Sequence, residues 1–168
     1  AIGNYASFIR TSAREDATDY LPDALEAAMQ VYHALASLGL LYQPDPTAPF
    51  AEVQGDTLVV DSVSLPRETI INITGDCDDI TVLYDTILEA AGVQTGIVTV
   101  PGHIYAAVNT GVSSREYARV HPDRSMTINE DGSLWILVEI TMIGRTSFLE
   151  AWQTGMRQWS AYDEQVSA

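Results

Sequence analysis

Three side chains have the types and settings that thiol catalysis requires. Cys77 is the single cysteine of the chain and stands in the segment GDCDD. His103 opens the segment HIYAAVN, and Glu139 interrupts the apolar segment LWILVEITM. In a thiol triad the histidine takes the proton of the thiol, and the acid fixes the tautomer of the histidine. These residue types therefore indicate acyl transfer through Cys77, His103 and Glu139.

The setting of Cys77 is the start of a strongly predicted helix. Apolar residues recur there with helical spacing at Ile80, Leu83, Tyr84, Ile87, Leu88 and Ala91. Cys77 continues this stripe, so we expect its sulfur to face the protein interior. Asp76, Asp78 and Asp79 are expected at the helix N-terminus, where free N–H groups and the helix dipole stabilise carboxylates. Asp78 and Asp85 fall on the polar face of the helix, which we expect to face water.

Two interpretations of Cys77 stay open at this stage. The neighbouring carboxylates oppose ionisation of the thiol, and without a nearby cation Cys77 would be a small buried core residue. An imidazolium of His103 touching the sulfur would outweigh carboxylates that are screened by solvent. In that case we expect Cys77 to react below the pH expected of a free thiol, whose pKa is about 8.5.

The helices and loops around this motif follow from spacing and punctuation. A first helix is predicted over residues 19–39, and Gly39 ends it. Residues 42–56 carry three prolines and are predicted to form a loop, followed by a short strand over residues 57–63. A final helix begins at SFLEAW, where Ser147 and the glutamate three residues later form a capping box.

The sheet must place the histidine beside the acid. Three strands are predicted, over residues 95–100, 103–109 and 134–142. A turn is predicted at residues 130–132. If the last two strands are neighbours, His103 and Glu139 lie side by side on the face that the Cys77 helix covers. Helices followed by strands predict an α+β fold with an antiparallel sheet.

Composition limits the partners of the chain. The formal net charge is −15 and lysine is absent, which argues against nucleic acid and against anionic membrane surfaces. No apolar run approaches the length of a membrane span, so no membrane insertion is expected. No cluster of His or Cys indicates a metal site, the aspartates do not follow calcium-loop spacing, and no cofactor is expected. The partner that remains is a peptide or protein substrate; oligomeric state and compartment stay open.

The length of 168 residues suits one domain. The opening residues resemble a linker, so we expect residues 1–168 to form a single domain of a larger protein.

The segments GDCDDITVLYDTILEAAGV, PGHIYAAV and WILVEIT resemble the transglutaminase-like superfamily, in a bacterial-type form. The resemblance covers roughly residues 28–143 and implies a papain-like fold with a Cys–His–acid site at Cys77, His103 and Glu139. Glu139 stands where the family usually has Asp, so the distance from strand to histidine must adjust by one methylene.

The resemblance implies acyl transfer from amides, and peptidase- or amidase-like hydrolysis is the expected reaction. The alternatives are a transglutaminase that transfers the acyl group to an amine, and a non-catalytic binding module that retains the fold. The oxyanion of such a reaction needs donors. The backbone N–H of Cys77 is one candidate, and the side chains of Asn72, Tyr42 and Gln43 are weaker ones.

Overall fold

Four helices and two sheets form the part of the chain that the structure describes. The computed structural model describes residues 21–44 and 63–167. The helices are α1 (Asp23–Ser37), α2 (Pro66–Asn72), α3 (Cys77–Ala90) and α4 (Phe148–Ser167). The strands are β1 (Leu41–Tyr42), β2 (Thr74–Gly75), β3 (Thr95–Val100), β4 (His103–Ser113), β5 (Ile128–Glu130) and β6 (Ser133–Val138). Short 3-10 turns span Ser114–Arg119, Arg124–Met126 and Ile140–Met142.

The larger sheet is antiparallel and has the strand order β3-β4-β6-β5. The smaller sheet pairs β1 with β2 in parallel. The predicted α+β class with an antiparallel sheet is therefore correct. The predicted loop over residues 42–56 and strand over residues 57–63 lie almost entirely outside the described residues.

Two of the predicted strands need revision. The strand that begins at His103 is longer than predicted and runs to Ser113. The strand predicted to run to residue 142 ends at Val138, because the Glu139 side chain accepts the N–H of Thr141 and begins a 3-10 turn. The turn predicted before β6 is present, and Asp131 and Gly132 both have positive φ there.

Helix α3 lies at the centre of the fold. It packs against α1, α2, β3, β4 and the 3-10 turn that follows β6. Its predicted apolar stripe is buried, and the Tyr84 hydroxyl donates a hydrogen bond to the carbonyl of Ala28 in α1 at 2.9 Å. The expectation that Asp78 and Asp85 face water is wrong, since both side chains are buried. Because so many elements surround this helix, its only exposed residues are Glu89 and Ala90 at its C-terminal end.

Helix α4 packs against β6. It begins with the predicted capping box, in which the N–H of Ser147 donates to Glu150 and the N–H of Glu150 donates to the Ser147 hydroxyl. A Cβ at Gly155 would lie 2.6 Å from the carbonyl oxygen of Leu137, so glycine permits the close approach of helix and strand. None of the described helices combines the length and apolar character of a membrane span.

The central position of α3 leads to a first prediction. Leu88 is fully buried in α3, and Leu88→Ala is expected to lower the free energy of unfolding by about 2–5 kcal/mol through the cavity it leaves. Leu149→Ala is the matched control, because Leu149 is 46 % exposed on α4. Chemical denaturation of both variants measures the difference. Equal unfolding midpoints would contradict the assigned packing.

The buried Asp85 leads to a second prediction. Neither carboxylate oxygen has a hydrogen-bond partner within the described residues, and burial raises the pKa of Asp85 from 3.8 to about 8. The unfolded chain loses this proton at a lower pH than the folded chain, so stability declines as the pH rises from about 4 to about 8. Asp85→Asn removes that decline.

We expect Asp85→Asn to raise the free energy of unfolding near pH 8 by on the order of 1–3 kcal/mol. The gain should be much smaller near pH 3, where the folded and the unfolded chain both largely keep the proton. Asp163→Asn, an exposed change on α4, is the control for net charge. A gain of the same size at both pH values would rule out ionisation of Asp85 as its cause.

Candidate active site

The predicted contact between His103 and Glu139 is present. Nε2 of the histidine lies 2.5 Å from Oε2 of the glutamate. The Glu139 side chain is 5 % exposed, whereas that of His103 is 26 % exposed. A buried carboxylate against a partly open imidazole leaves the ring accessible to another molecule.

The strand register explains how a glutamate reaches this histidine. Ala106 lies opposite Val138, so continuing the β4–β6 register would place Glu139 opposite Tyr105 rather than His103. The chain instead turns away after Val138, and the longer glutamate side chain reaches the ring two residues along β4. The Glu139 backbone is fixed by its N–H, which donates to the carbonyl of Ala151 in α4 at 3.0 Å.

The second oxygen of the glutamate is also held. Thr141 donates its hydroxyl to Oε1 of Glu139 at 2.5 Å and its backbone N–H to the same atom at 3.2 Å. One oxygen is thereby satisfied by Thr141, and the other is left to His103. This division orients the carboxylate without competing for the histidine.

Tyr105 supports the other side of the imidazole. Its ring meets that of His103 edge to face, with centroids 4.8 Å apart and an interplanar angle of 81°. Tyr105 is buried, and burial together with the charge of Glu139 raises the pKa of its phenol to about 12. The phenol therefore stays neutral, and its buried ring restricts the orientation of the His103 imidazole.

The thiol stands at the first residue of α3, as the sequence predicts. Asp76 caps the helix by accepting the N–H of Asp79. Gly75, just before the cap, lies so close to the helix that a Cβ there would be 2.7 Å from Cβ of Asp79. Cys77 is buried and contributes to the side of α3 that faces the fold. The G-x-C pattern is thus explained by a tight turn leading into a capped helix.

The three aspartates around Cys77 form a compact acidic cluster. Their carboxylate oxygens lie within 4.8 Å of one another. Asp76 and Asp78 both accept the N–H of Asp79, and Asp79 accepts the N–H and hydroxyl of Ser64 at 2.6 and 3.1 Å. Each carboxylate therefore has a partner in the fold, as expected of helix-start residues.

The same cluster controls the thiol. Burial raises the pKa of Cys77 to about 12, and the charges of Asp76 and Asp78 contribute to the increase. The described residues include no hydrogen bond between His103 and the sulfur of Cys77. The expectation that an imidazolium lowers the thiol pKa in the resting protein is therefore not met, because burial and then the charges of Asp76 and Asp78 raise that pKa.

Tyr42 connects the thiol to the histidine–glutamate pair. Burial raises the pKa of its phenol, and the charges of Cys77 and Asp76 raise it further. Glu139 acts in the same direction, whereas Arg145 opposes it. The β1–β2 pairing places Tyr42 opposite Gly75, two residues before Cys77. The protonated hydroxyl can donate a hydrogen bond.

The other oxyanion candidates differ in their positions. The N–H of Gln43 donates to the carbonyl of Gly75 at 2.9 Å, which holds Gln43 beside the strand that leads to Cys77. Its side-chain oxygen is taken by the hydroxyl of Thr74. Asn72 lies exposed at the end of α2 and has no side-chain hydrogen bond to a described residue. Tyr42 is thus the side chain best situated for this role.

Thr141, Tyr105 and Arg145 are site residues that the sequence alone did not reveal. The spacing Glu-x-Thr is compatible with a side-chain cap and could have pointed to Thr141. Tyr105 shares the strand face of His103 by simple alternation. Arg145 gives no sequence signal, because its guanidinium donates to the carbonyl of Tyr42, 103 residues away along the chain.

Comparison of the chain with protein-family models, with curated proteins and with solved structures yields no match. The arguments about this site therefore rest on its own geometry.

The electrostatics of Cys77 lead to a third prediction. A thiol whose pKa is raised to about 12 carries less thiolate at neutral pH than a free thiol, so its alkylation rate should still be increasing above pH 9. The same chain unfolded in guanidinium is the control, and its rate should level off near the free-thiol pKa of about 8.5.

Substitutions identify the charges that control the thiol. Asp76→Asn and Asp78→Asn should each shift the alkylation profile to lower pH, because each removes a carboxylate that opposes the thiolate. His103→Ala should shift it little. A profile that levels off below pH 8 in the folded wild type would overturn this account and restore a resting ion pair with His103.

Proposed function

We propose that this protein is a thiol-dependent enzyme that cleaves amide bonds of peptides or proteins by acyl transfer through Cys77, His103 and Glu139. The observation that carries the proposal is the contact between His103 and a buried Glu139 whose other oxygen is already satisfied. A buried carboxylate is costly unless it is fully paired. Glu139 thus orients a histidine that remains partly exposed, which is the arrangement that general acid–base catalysis uses.

The roles of the ring nitrogens follow from this contact. Glu139 accepts the Nε2 proton of the neutral imidazole, which leaves Nδ1 as the basic nitrogen. Nδ1 takes the thiol proton while the sulfur of Cys77 attacks the carbonyl carbon of the amide. The imidazolium then returns this proton to the leaving amine, and a thioester remains on Cys77. Water attacks the thioester with His103 as base, which releases the carboxylic acid and restores the thiol.

The resting state of this cycle is a neutral thiol. Because burial and the acids at the start of α3 disfavour the thiolate, proton transfer to His103 accompanies attack on the substrate. Charge then develops on the carbonyl oxygen, where the N–H of Cys77 at the helix N-terminus and the Tyr42 hydroxyl serve as donors. A thiol that stays protonated until substrate arrives is also protected from oxidation.

The proposed fold is papain-like, with the transglutaminase-like superfamily as the resemblance that suggests it. A cysteine at the start of a central helix, a histidine at the start of an antiparallel strand and an acid after the next strand support this assignment. The wider α+β architecture is compatible with it.

Two other functions use the same elements. Transfer of the acyl group to an amine shares the thioester and differs only in its acceptor. A non-catalytic binding module is favoured by one observation, the raised pKa of the Cys77 thiol. The intact and fully paired His103–Glu139 contact favours an enzyme, since a binding module has no use for the energetic cost of burying Glu139.

Turnover provides the fourth prediction. The protein is incubated with a pool of random synthetic peptides, and new termini are counted by mass spectrometry. Cys77→Ala should abolish product formation, and Glu139→Gln should lower kcat by about 10²–10⁴-fold because the tautomer of His103 is lost. Glu130→Gln, an exposed change in β5, is the matched control and should retain wild-type activity.

The products distinguish the alternatives. Hydrolysis adds water to the acyl fragment, whereas transfer adds a primary amine supplied in the mixture. Product formation that persists in Cys77→Ala would contradict the thiol mechanism. A wild type that forms no product with or without the amine would favour the binding module.

A further inference from the structure

We propose that Arg145 recognises a carboxylate group of the substrate beside the amide that Cys77 attacks. This inference rests on the proposed function and adds a substrate class to it. Arg145 contacts Tyr42, has no carboxylate partner within the described residues, and lines a groove.

Arg145 borders the site through Tyr42. Its Nη2 donates to the carbonyl oxygen of Tyr42 at 3.3 Å. Its charge acts on the Tyr42 phenol, which also senses Cys77 and Glu139. The backbone N–H of Arg145 donates to the carbonyl of Met142 at 3.0 Å, so the residue follows directly from the turn that Glu139 begins. The same turn thus positions the triad acid and the cation.

The guanidinium of Arg145 has no carboxylate partner within the described residues. Among the arginines of the described residues, Arg119 alone forms an ion pair, with Glu116, and Arg124 lies over the ring of Tyr117. Arg145 differs from the other unpaired arginines in its position, because it donates to the carbonyl of Tyr42, which pairs with Gly75 just before Cys77. A guanidinium has five N–H donors, so most of its binding capacity remains for a ligand.

A groove gives a ligand access to this guanidinium. Its volume is about 460 Å³, and its lining includes His33, Arg145, Thr146 and Glu150. Glu150 forms no ion pair with Arg145 within the described residues, and its carboxylate accepts the N–H and the hydroxyl of Ser147 at 3.0 and 2.9 Å. The groove therefore offers a cation and polar groups next to the turn that leads to the site.

The surrounding charge favours a singly charged ligand. The charges of Asp76 and Glu139 act on Tyr42, and those of Asp76 and Asp78 act on Cys77. These carboxylates would repel a dianionic phosphate more strongly than a carboxylate. Arginine binds a carboxylate in a planar, bidentate geometry. In an acidic protein, Arg145 decides whether an acidic substrate is accepted. It therefore sets the difference in affinity between charged and neutral peptides.

The test is competition between peptide pools in one reaction. All pools are decapeptides with one fixed central residue and a random choice of uncharged residues at the other positions. The first has Glu at that position and an amidated C-terminus, the second has Gln and an amidated C-terminus, and the third has Gln and a free C-terminus. We expect wild type to consume one carboxylate pool about 10-fold or more faster than the neutral pool. The faster pool shows whether the carboxylate belongs to a side chain or to a C-terminus.

The variants assign the preference to Arg145. Arg145→Gln should remove the preference, so that the ratio of the rates for the carboxylate pool and the neutral pool falls to about one. Arg157→Gln removes one charge from an exposed position on α4 and should retain the preference. Equal consumption of all pools by wild type, or the same preference in Arg145→Gln, would overturn the proposal.

Binding separates this proposal from the proposed function. If wild type cleaves none of the pools, the Cys77→Ala protein is titrated against fluorescently labelled pools and anisotropy is followed. Tighter binding of a carboxylate pool that is lost in Cys77→Ala/Arg145→Gln supports recognition by Arg145 even without turnover. Equal or absent binding of all pools overturns it.

Discussion

The burial of the Glu139 carboxylate is the constraint on which the site depends. A carboxylate that is 5 % exposed must have each oxygen paired, and the structure meets this with Thr141 on one oxygen and His103 on the other. The backbone N–H of Glu139 is tied to α4 through Ala151. Because the strand stops here and a tight turn begins, the same residue ends β6, orients the histidine and starts the turn that presents Arg145.

A second constraint comes from the central place of α3. Elements pack around most of this helix, so the residue at its first position cannot be exposed, and Asp78 and Asp85 are buried with it. The acids that cap the helix then set the electrostatics of the thiol. The N-terminus of a helix favours a thiolate in principle, but acids that occupy the same terminus cancel that effect. The result is a thiol with a raised pKa, which in the proposed reaction depends on His103 during attack.

Tyr42 contacts both the segment that leads into α3 and the segment that follows the Glu139 turn. The short parallel pairing of β1 with β2 holds this residue against the strand that leads to Cys77, while the turn after Glu139 supplies Arg145 to its carbonyl. The chain thereby brings together four segments that are far apart in sequence. In the proposed reaction, loss of either packing would disturb the position of Tyr42, which links the stability of the fold to the proposed chemistry.

The sequence by itself determined the local elements and the residue types of the site. Apolar spacing located α1 and α3, the Ser147–Glu150 box located the start of α4, and alternation located β3 and the face of His103. Strand alternation and adjacency also predicted that Glu139 lies near His103, although the contact forms only because the chain turns after Val138. These features depend on neighbours within a few residues, or on one simple antiparallel register.

Only the tertiary structure decided which groups are buried and which charges act on each other. Helical periodicity placed Asp78 and Asp85 on a polar face, but packing from several elements buried both side chains. Burial of the thiol, followed by the charges of Asp76 and Asp78, raises the pKa of Cys77. The strand predicted through residue 142 ends at Val138, because the Glu139 side chain accepts the N–H of Thr141. This bond begins a 3-10 turn in place of further strand pairing. The nearness of Arg145 to Tyr42 spans 103 residues, and no local pattern in the sequence encodes a contact that the packing of separate segments creates.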